Sequence, residues 1–217
     1  MSRRVAIGIV MAVLTVLPLS ATTMKELLIA APDSLFPYLD KAKRSELVDL
    51  WEIKARAGVA AENDAPAGVT VETKNKLDGT SRLDTLTADF MQLTLNKQTQ
   101  VQAKLIQENG DSLICVVKTI SLPEGDSEVA FYDLNWNLKR RVAFDWHNHV
   151  EKPDTMSEEV FREKMKAVEI AFVKASIHAD DDWVELNVEA PLIPKNIKPE
   201  LNAILQRNVK LRLADVK

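Results

Sequence analysis

The sequence predicts an α+β fold in which N-terminal helices pack on a mostly antiparallel β-meander, with a C-terminal helix and β-hairpin. Apolar residues recur at helical spacing as far as residue 57, and from Val69 onward they alternate with polar residues in short runs. The composition agrees, because 46% of the 217 residues are hydrophobic and 28% are charged, which is typical of a globular chain.

Residues 1–21 are predicted to be a secretory signal peptide. Arg3 and Arg4 supply positive charge, residues 5–17 form an apolar run, and Ala21 ends a small-residue cleavage site. The run is shorter than the roughly 20 residues of a transmembrane helix, and no cysteine follows it to carry a lipid anchor. We therefore expect a periplasmic or extracellular protein without a transmembrane segment after cleavage.

The mature chain, residues 22–217, is predicted to be a single domain, with two lobes at 22–150 and 151–217 as the alternative. It opens with a short helix over 24–31 and a longer one over 40–57. Leu47, Val48 and Trp51 form an apolar stripe on the second helix, and Gly58 is predicted to end it.

Alternating runs separated by turns predict the meander. Asn109-Gly110 is a strong hairpin signal, and residues 113–117 are apolar on both faces, as in a central strand. The predicted strands are 69–71, 91–95, 101–105, 113–117 and 128–132. The C-terminal third adds a helix over 160–166, a hairpin over 169–178 and 183–189, a short helix over 199–206 and a last strand over 209–213.

Three stretches of the chain resemble an exported family of unknown function from Bacteroidetes. Residues 31–39 contain Ala-Pro-Asp-Ser-Leu-Phe-Pro-Tyr-Leu and are followed by Arg44, which is similar to the family's proline-aspartate-serine-leucine signature. Residues 81–90 resemble its leucine-threonine-aspartate-aromatic segment, and the third stretch, residues 114–119 and 126–132 with Trp136 soon after, resembles its central strands. The resemblance implies export and a bacterial envelope setting, and it brings no activity.

Composition and motifs exclude several function classes. The formal net charge of −4 argues against nucleic acid, which needs a basic face. The chain contains no Gly-x-Ser-x-Gly elbow, no His-Glu-x-x-His motif and no glycine-rich phosphate loop. Cys115 lies among apolar neighbours, where a thiolate is disfavoured, so we expect a buried thiol rather than a nucleophile.

The segment Asp145-Trp146-His147-Asn148-His149 is the most site-like stretch. If it is extended, His147, His149 and Asp145 project from one face and could hold zinc or another divalent metal. His178 with Asp180-Asp181-Asp182 would complete the set if the hairpin lay alongside. The alternative is a polar strand end and a solvated turn, with no cofactor; calcium at the aspartates lacks the glycine of a dedicated loop.

Trp136, Trp146 and Trp183 are candidates to line a carbohydrate or peptide groove, with core packing as the alternative. The sequence thus favours a non-catalytic exported binding module whose partner is an envelope protein, peptide or glycan, and strand addition at an exposed sheet edge is the expected mode. The alternative is a metal-dependent hydrolase that uses His147, His149 and Asp145.

Overall fold

The structure is a computed structural model of the chain and describes residues 22–60, 70–121, 124–150, 152–193, 196, 198–205 and 209–216. The predicted signal peptide, residues 1–21, lies outside the described residues. The predicted α+β class is confirmed: N-terminal helices, a seven-stranded antiparallel sheet, a C-terminal helix and a three-stranded antiparallel sheet.

The helices and strands follow one another in chain order. The helices are α1 (Met24–Ala30), α2 (Lys41–Ala60), α3 (Glu158–Lys166) and α4 (Lys198–Leu205), with two 3-10 helices at Trp146–His149 and Leu213–Asp215. The strands are β1 (Glu72–Lys74), β2 (Thr80–Leu86), β3 (Phe90–Thr94), β4 (Thr99–Glu108), β5 (Asp111–Ser121), β6 (Gly125–Asp133), β7 (Leu138–Val142), β8 (Phe172–Ile177), β9 (Trp183–Glu189) and β10 (Val209–Arg212).

Strands β1 to β7 form a meander in which each strand pairs with its neighbour in the chain, and β8, β9 and β10 form the second sheet. Asn109 and Gly110 both have positive φ, 52° and 91°, as the two-residue turn between β4 and β5 requires. Strands β2 and β7 were not predicted. Gly58 lies inside α2 rather than at its end, so the predicted helix terminus was wrong.

The large sheet is buried on both faces. On one face, Ile114 and Val116 of β5 join a core with α1 and α2. On the other face, Cys115 and Val117 join a core with β8 and β9. The central position predicted for residues 113–117 is therefore confirmed, and the fold has three layers: helices, large sheet and small sheet.

The outer edge of β8 is closed by side chains of the large sheet. Gln102 Oε1 accepts a hydrogen bond from Ile177 N at 3.1 Å, and Gln102 Nε2 donates to Ile177 O at 2.9 Å. Ser127 Oγ accepts from Ala175 N at 2.9 Å. An incoming strand would have to displace these bonds, so this edge is protected against strand addition.

Cys115 is a free thiol at the centre of β5 and is completely buried. Burial raises the pKa of the thiol to about 12, against a smaller opposite effect of the nearby Arg140 charge. Burial in the core therefore makes the Cys115 thiol unreactive, as predicted from its apolar neighbours in the sequence.

We expect Cys115 to resist thiol reagents in the native protein at about pH 8, close to the ordinary thiol pKa of about 8.5. Labelling with a chromogenic disulfide should become rapid only in denaturant. In a Ser121→Cys variant, the new thiol lies at an exposed position of the same strand and should react at once. Rapid native labelling of Cys115 without loss of structure would contradict its burial.

Candidate functional site

The predicted metal segment is not extended. Asp145 precedes a 3-10 helix over Trp146–His149, and its Oδ1 accepts from His147 N at 3.1 Å and pairs with His147 Nδ1 at 2.7 Å. A 3-10 helix turns about a third of a circle per residue, so positions two apart do not share a face. The premise that placed His147 and His149 on one side was wrong.

The other predicted metal ligands have different partners. His178 Nε2 lies 3.6 Å from Glu185 Oε2. Within the described part of the chain, no three His, Cys, Asp or Glu side chains converge as a metal site. The His149 side chain lies outside what the structure describes. Of the contacts among the predicted metal-site residues, the structure shows the one between Asp145 and His147.

The three candidate tryptophans lie in three different surroundings. Trp136 is 8% exposed in the helix-side core, where Nε1 donates to Leu27 O at 3.1 Å. Its φ of 64° is unusual for a bulky residue, and it is held by a turn in which Trp136 N donates to Asp133 O. Trp136 thus fastens α1 to the sheet and does not form a groove with the other two.

Trp146 and Trp183 line separate surface grooves. Trp146 is stacked on His147, with ring centroids 3.8 Å apart, beside a groove of about 240 Å³ against Phe161 and Met165 of α3. Trp183 lies at the start of β9 on a larger groove of about 640 Å³. The predicted aromatic surface is therefore divided between two separate grooves.

A further groove lies on the helix side of the large sheet, over β4, β5 and β6, and reaches β7 at Arg141. It encloses about 210 Å³, and its floor is apolar: Val101, Val116, Ala130 and Tyr132. The loop between α1 and α2, at residues 34–36, forms one wall. We call it the β7 groove.

A row of charges crosses the open side of the β7 groove. Lys118 of β5 lies directly opposite Glu128 of β6, and Arg141 of β7 forms an ion pair with the same Glu128. Exposed apolar side chains lie on both sides of this row: Ile120 follows Lys118 on β5, and Leu138 lies opposite Tyr132 on β7, at 48% and 46% exposure. The groove therefore combines an apolar floor with a zwitterionic rim.

Arg44 fastens the groove wall to the helices. Its guanidinium is 1% exposed and donates to the carbonyl oxygens of Leu28, Ala31 and Leu39, and to Asp33 Oδ1 at 2.8 Å. The hydrogen bond from Arg44 holds the pKa of the Asp33 carboxyl below its ordinary value. The Pro-Asp-Ser-Leu stretch is thus a loop wrapped around one buried cation.

Strand β7 forms the edge of the large sheet and pairs only with β6 among the described strands. It carries Lys139, Arg140 and Arg141 in succession. Each has an acidic partner: Asp133 at 3.0 Å for Lys139, Glu108 at 2.8 Å for Arg140, and Glu128 for Arg141. Sequence reasoning missed this edge, because three consecutive charges conceal the period-two pattern; the flanking Leu138 and Val142 were the available signal.

Comparison with known proteins gives a family and a fold. The family described as "Protein of unknown function (DUF3256)" matches residues 16–214. A solved domain of an uncharacterized protein from Porphyromonas gingivalis W83 is similar, with a TM-score of 0.61 and 16% identity over 87% of this chain and 92% of that one. No curated protein matches the chain. None of the helices in the described residues has the length and apolar character to span a bilayer.

Proposed function

Because the chain belongs to the DUF3256 family, whose description gives no function, we propose from its geometry that it is a non-catalytic binding module that takes up an extended peptide segment at the β7 edge. The observation that carries this proposal is the adjacency of an apolar groove and a strand edge that no described strand covers. An edge supplies backbone hydrogen bonds and the groove supplies a side-chain pocket, which are the two parts of strand addition.

The groove suits one apolar side chain of such a segment. Cavities of about 150 Å³ lined by aliphatic and aromatic residues accommodate a benzene ring, so a groove of about 210 Å³ is large enough for a phenyl group. Side chains of a paired strand alternate between faces, and every second one would lie on the helix side near Tyr132. The pocket thereby sets the register of the incoming segment.

The charged side chains of β7 determine which side chains the incoming segment can carry. A second copy of β7 would bring Lys139 and Arg141 against the same cations, and like charges directly opposite destabilise a strand pair. An acidic segment instead meets Lys139 and Arg141, whose ion pairs with Asp133 and Glu128 it would share. The edge therefore disfavours self-association and favours a segment that alternates acidic and apolar residues.

We also propose that residues 1–21 are removed on export, that residues 22–217 act as one domain, and that the partner belongs to the cell envelope. The basis is the charge, apolar run and small-residue exit of the N-terminus. The Bacteroidetes source of the structural neighbour is consistent with this setting.

A defined peptide tests strand addition. We expect a blocked peptide of seven residues that alternates threonine and glutamate around a central phenylalanine to bind the mature chain and to protect β7 amides from hydrogen exchange. Replacing its glutamates with lysines should weaken the dissociation constant at least about tenfold, which is about 1.4 kcal/mol. Titration followed by amide chemical shifts measures both effects.

Matched controls separate strand addition from general attraction. Backbone N-methylation of the peptide removes hydrogen-bond donors and should abolish binding. Arg141→Glu in the protein should weaken binding, whereas the same charge change at Lys174→Glu, exposed on β8, should leave it unchanged. If the N-methylated peptide bound as well as its parent, or the shifts mapped away from β7, strand addition would be wrong.

The Asp145–His147 pair favours the second candidate, a metal-dependent hydrolase. A carboxylate that binds one ring nitrogen of a histidine orients the other nitrogen, as in many zinc sites. The pair lies beside the Trp146 groove, where a substrate could be held. In this proposal His147 and His149 would bind a divalent metal, Asp145 would orient the ring of His147, and the metal would supply the activated water.

Zinc titration tests this candidate. If His147 and His149 bind zinc, we expect metal at 100 times its dissociation constant to raise the unfolding free energy by about 2.7 kcal/mol. The gain, measured from melting curves, should disappear in the His147→Ala/His149→Ala variant and persist in a His178→Ala control. A flat titration from metal-free protein would end the hydrolase hypothesis.

A further inference from the structure

The groove beside Trp183 lies apart from the β7 edge and has the features of a ligand site. It encloses about 640 Å³, within the range of about 300–1,000 Å³ typical of small-molecule sites. Both sheets contribute to it: Leu105 and Gln107 come from β4, and Trp183 and Arg212 come from the start of β9 and the end of β10. The groove is therefore made by the packing of the two layers, not by a single loop.

One wall of this groove is held rigid by a buried cation. Lys104 is 3% exposed, and its ammonium donates to the carbonyl oxygens of His178, Ala179 and Asp181 at 3.1, 2.8 and 2.6 Å. Asp181 and Asp182 of this turn line the groove, and Asp182 Oδ1 lies 3.6 Å from the Lys104 ammonium.

An aromatic face lies next to these carboxylates. Trp183 is 38% exposed, and its backbone N–H donates to Asp181 Oδ1 at 3.3 Å, which couples its position to the turn. Arg212 lies directly opposite Trp183 on β10, with its guanidinium 5.3 Å from the ring centroid. Asp181 thus fixes the position of Trp183 from within the turn, and Arg212 fixes it from the neighbouring strand.

The mixture of charges identifies the class of ligand. The lining contains three carboxylates, from Asp89, Asp181 and Asp182, together with the guanidinium of Arg212 and the amide of Gln107. An anionic ligand would meet the carboxylates, and a cationic one would meet Arg212. A neutral polyhydroxyl ligand can donate to the carboxylates, accept from Arg212 and Gln107, and lay its apolar face on Trp183.

From this arrangement we propose that the groove beside Trp183 binds a neutral saccharide chain. Hydrogen bonds that involve charged partners are stronger than neutral ones, so the carboxylates and Arg212 would orient the sugar hydroxyls. The indole supplies the apolar contact area. This site does not depend on the β7 edge, and a protein that holds both would join a peptide to a glycan.

Calorimetric titration of the mature chain with maltotetraose, cellotetraose and chitotetraose tests the proposal. We expect at least one of these neutral tetrasaccharides to bind at up to about 10 mM ligand, a concentration that detects even millimolar affinities. Trp183→Ala should weaken that binding at least about tenfold, and Trp183→Phe should restore part of it because a phenyl ring retains an apolar face.

Two controls make the outcome decisive. Trp51→Ala, which changes a half-buried tryptophan on α2, should leave saccharide affinity unchanged, and the melting temperature of each variant reports whether the fold is intact. Trilysine and a sulfated tetrasaccharide should not bind at the same concentration. The proposal is overturned if no neutral tetrasaccharide binds, if Trp183→Ala binds as well as the parent chain, or if trilysine binds at this groove in their place.

Discussion

Replacing Arg44 with methionine is expected to lower the free energy of unfolding by about 3–5 kcal/mol. The substitution keeps most of the aliphatic volume but leaves the carbonyls of Leu28, Ala31 and Leu39 without their donor, and each buried acceptor left unpaired costs about 1–3 kcal/mol. A loss of this size is a large fraction of the 5–15 kcal/mol typical of a domain, by order of magnitude. Urea denaturation measures it directly.

The matched control is Arg56→Met on the same helix. Arg56 is 77% exposed, and its ion pair with Glu52 is of the surface kind that contributes roughly 0–1 kcal/mol. Arg44→Lys should recover only part of the stability, because an ammonium cannot reproduce the planar fork of a guanidinium. Equal losses of unfolding free energy for Arg44→Met and Arg56→Met would contradict this prediction, because the buried hydrogen bonds of Arg44 would then contribute no more than a surface ion pair.

Replacing Lys104 with methionine is expected to cost about 2–4 kcal/mol and to loosen the turn over residues 178–182. The methionine retains the buried stem of the lysine, so the loss reports on the three carbonyl bonds of the ammonium together with its ion pair to the exposed Asp182. The cost is smaller than at Arg44, because the turn lies at the surface and water can hydrate part of the released backbone.

Hydrogen exchange distinguishes this local effect from global destabilisation. In Lys104→Met, amides near the turn should lose protection beyond the global change, whereas those of β2 and β3 should follow the global stability. Lys97→Met, at an exposed position of the β3–β4 turn, should leave stability unchanged. Unaltered protection near residue 181 in Lys104→Met would contradict the role of the ammonium in holding the turn.

Local pattern was sufficient for most elements of the fold. Residues 113–117 are apolar on both faces, and this alone placed β5 in the interior of the sheet. Asn109-Gly110 predicted its hairpin, because only a turn with two positive φ values joins twisted strands so tightly. These features depend on neighbours in sequence, which is why one chain reveals them.

Features that depend on distant partners could not be predicted. Gln102 and Lys104 alternate with apolar residues on β4, a pattern that indicates a solvated face, yet both are buried because the second sheet covers that face. The basic run of β7 is neutralised by acids from other elements. The β7 groove and the Trp183 groove both arise from such packing between layers, so no motif marks them.

The bonds that close the β8 edge also constrain the order in which the chain folds. They join residues 75, 48 and 47 positions apart in sequence, at Gln102–Ile177, Ser127–Ala175 and Asp126–Val173. Each hairpin of the meander closes over a few residues, whereas these contacts require long loops, whose closure entropy slows their formation. We therefore expect the meander to form first, with one apolar face still bare. Docking of the small sheet then covers this apolar face, and the folding intermediate can no longer aggregate through it.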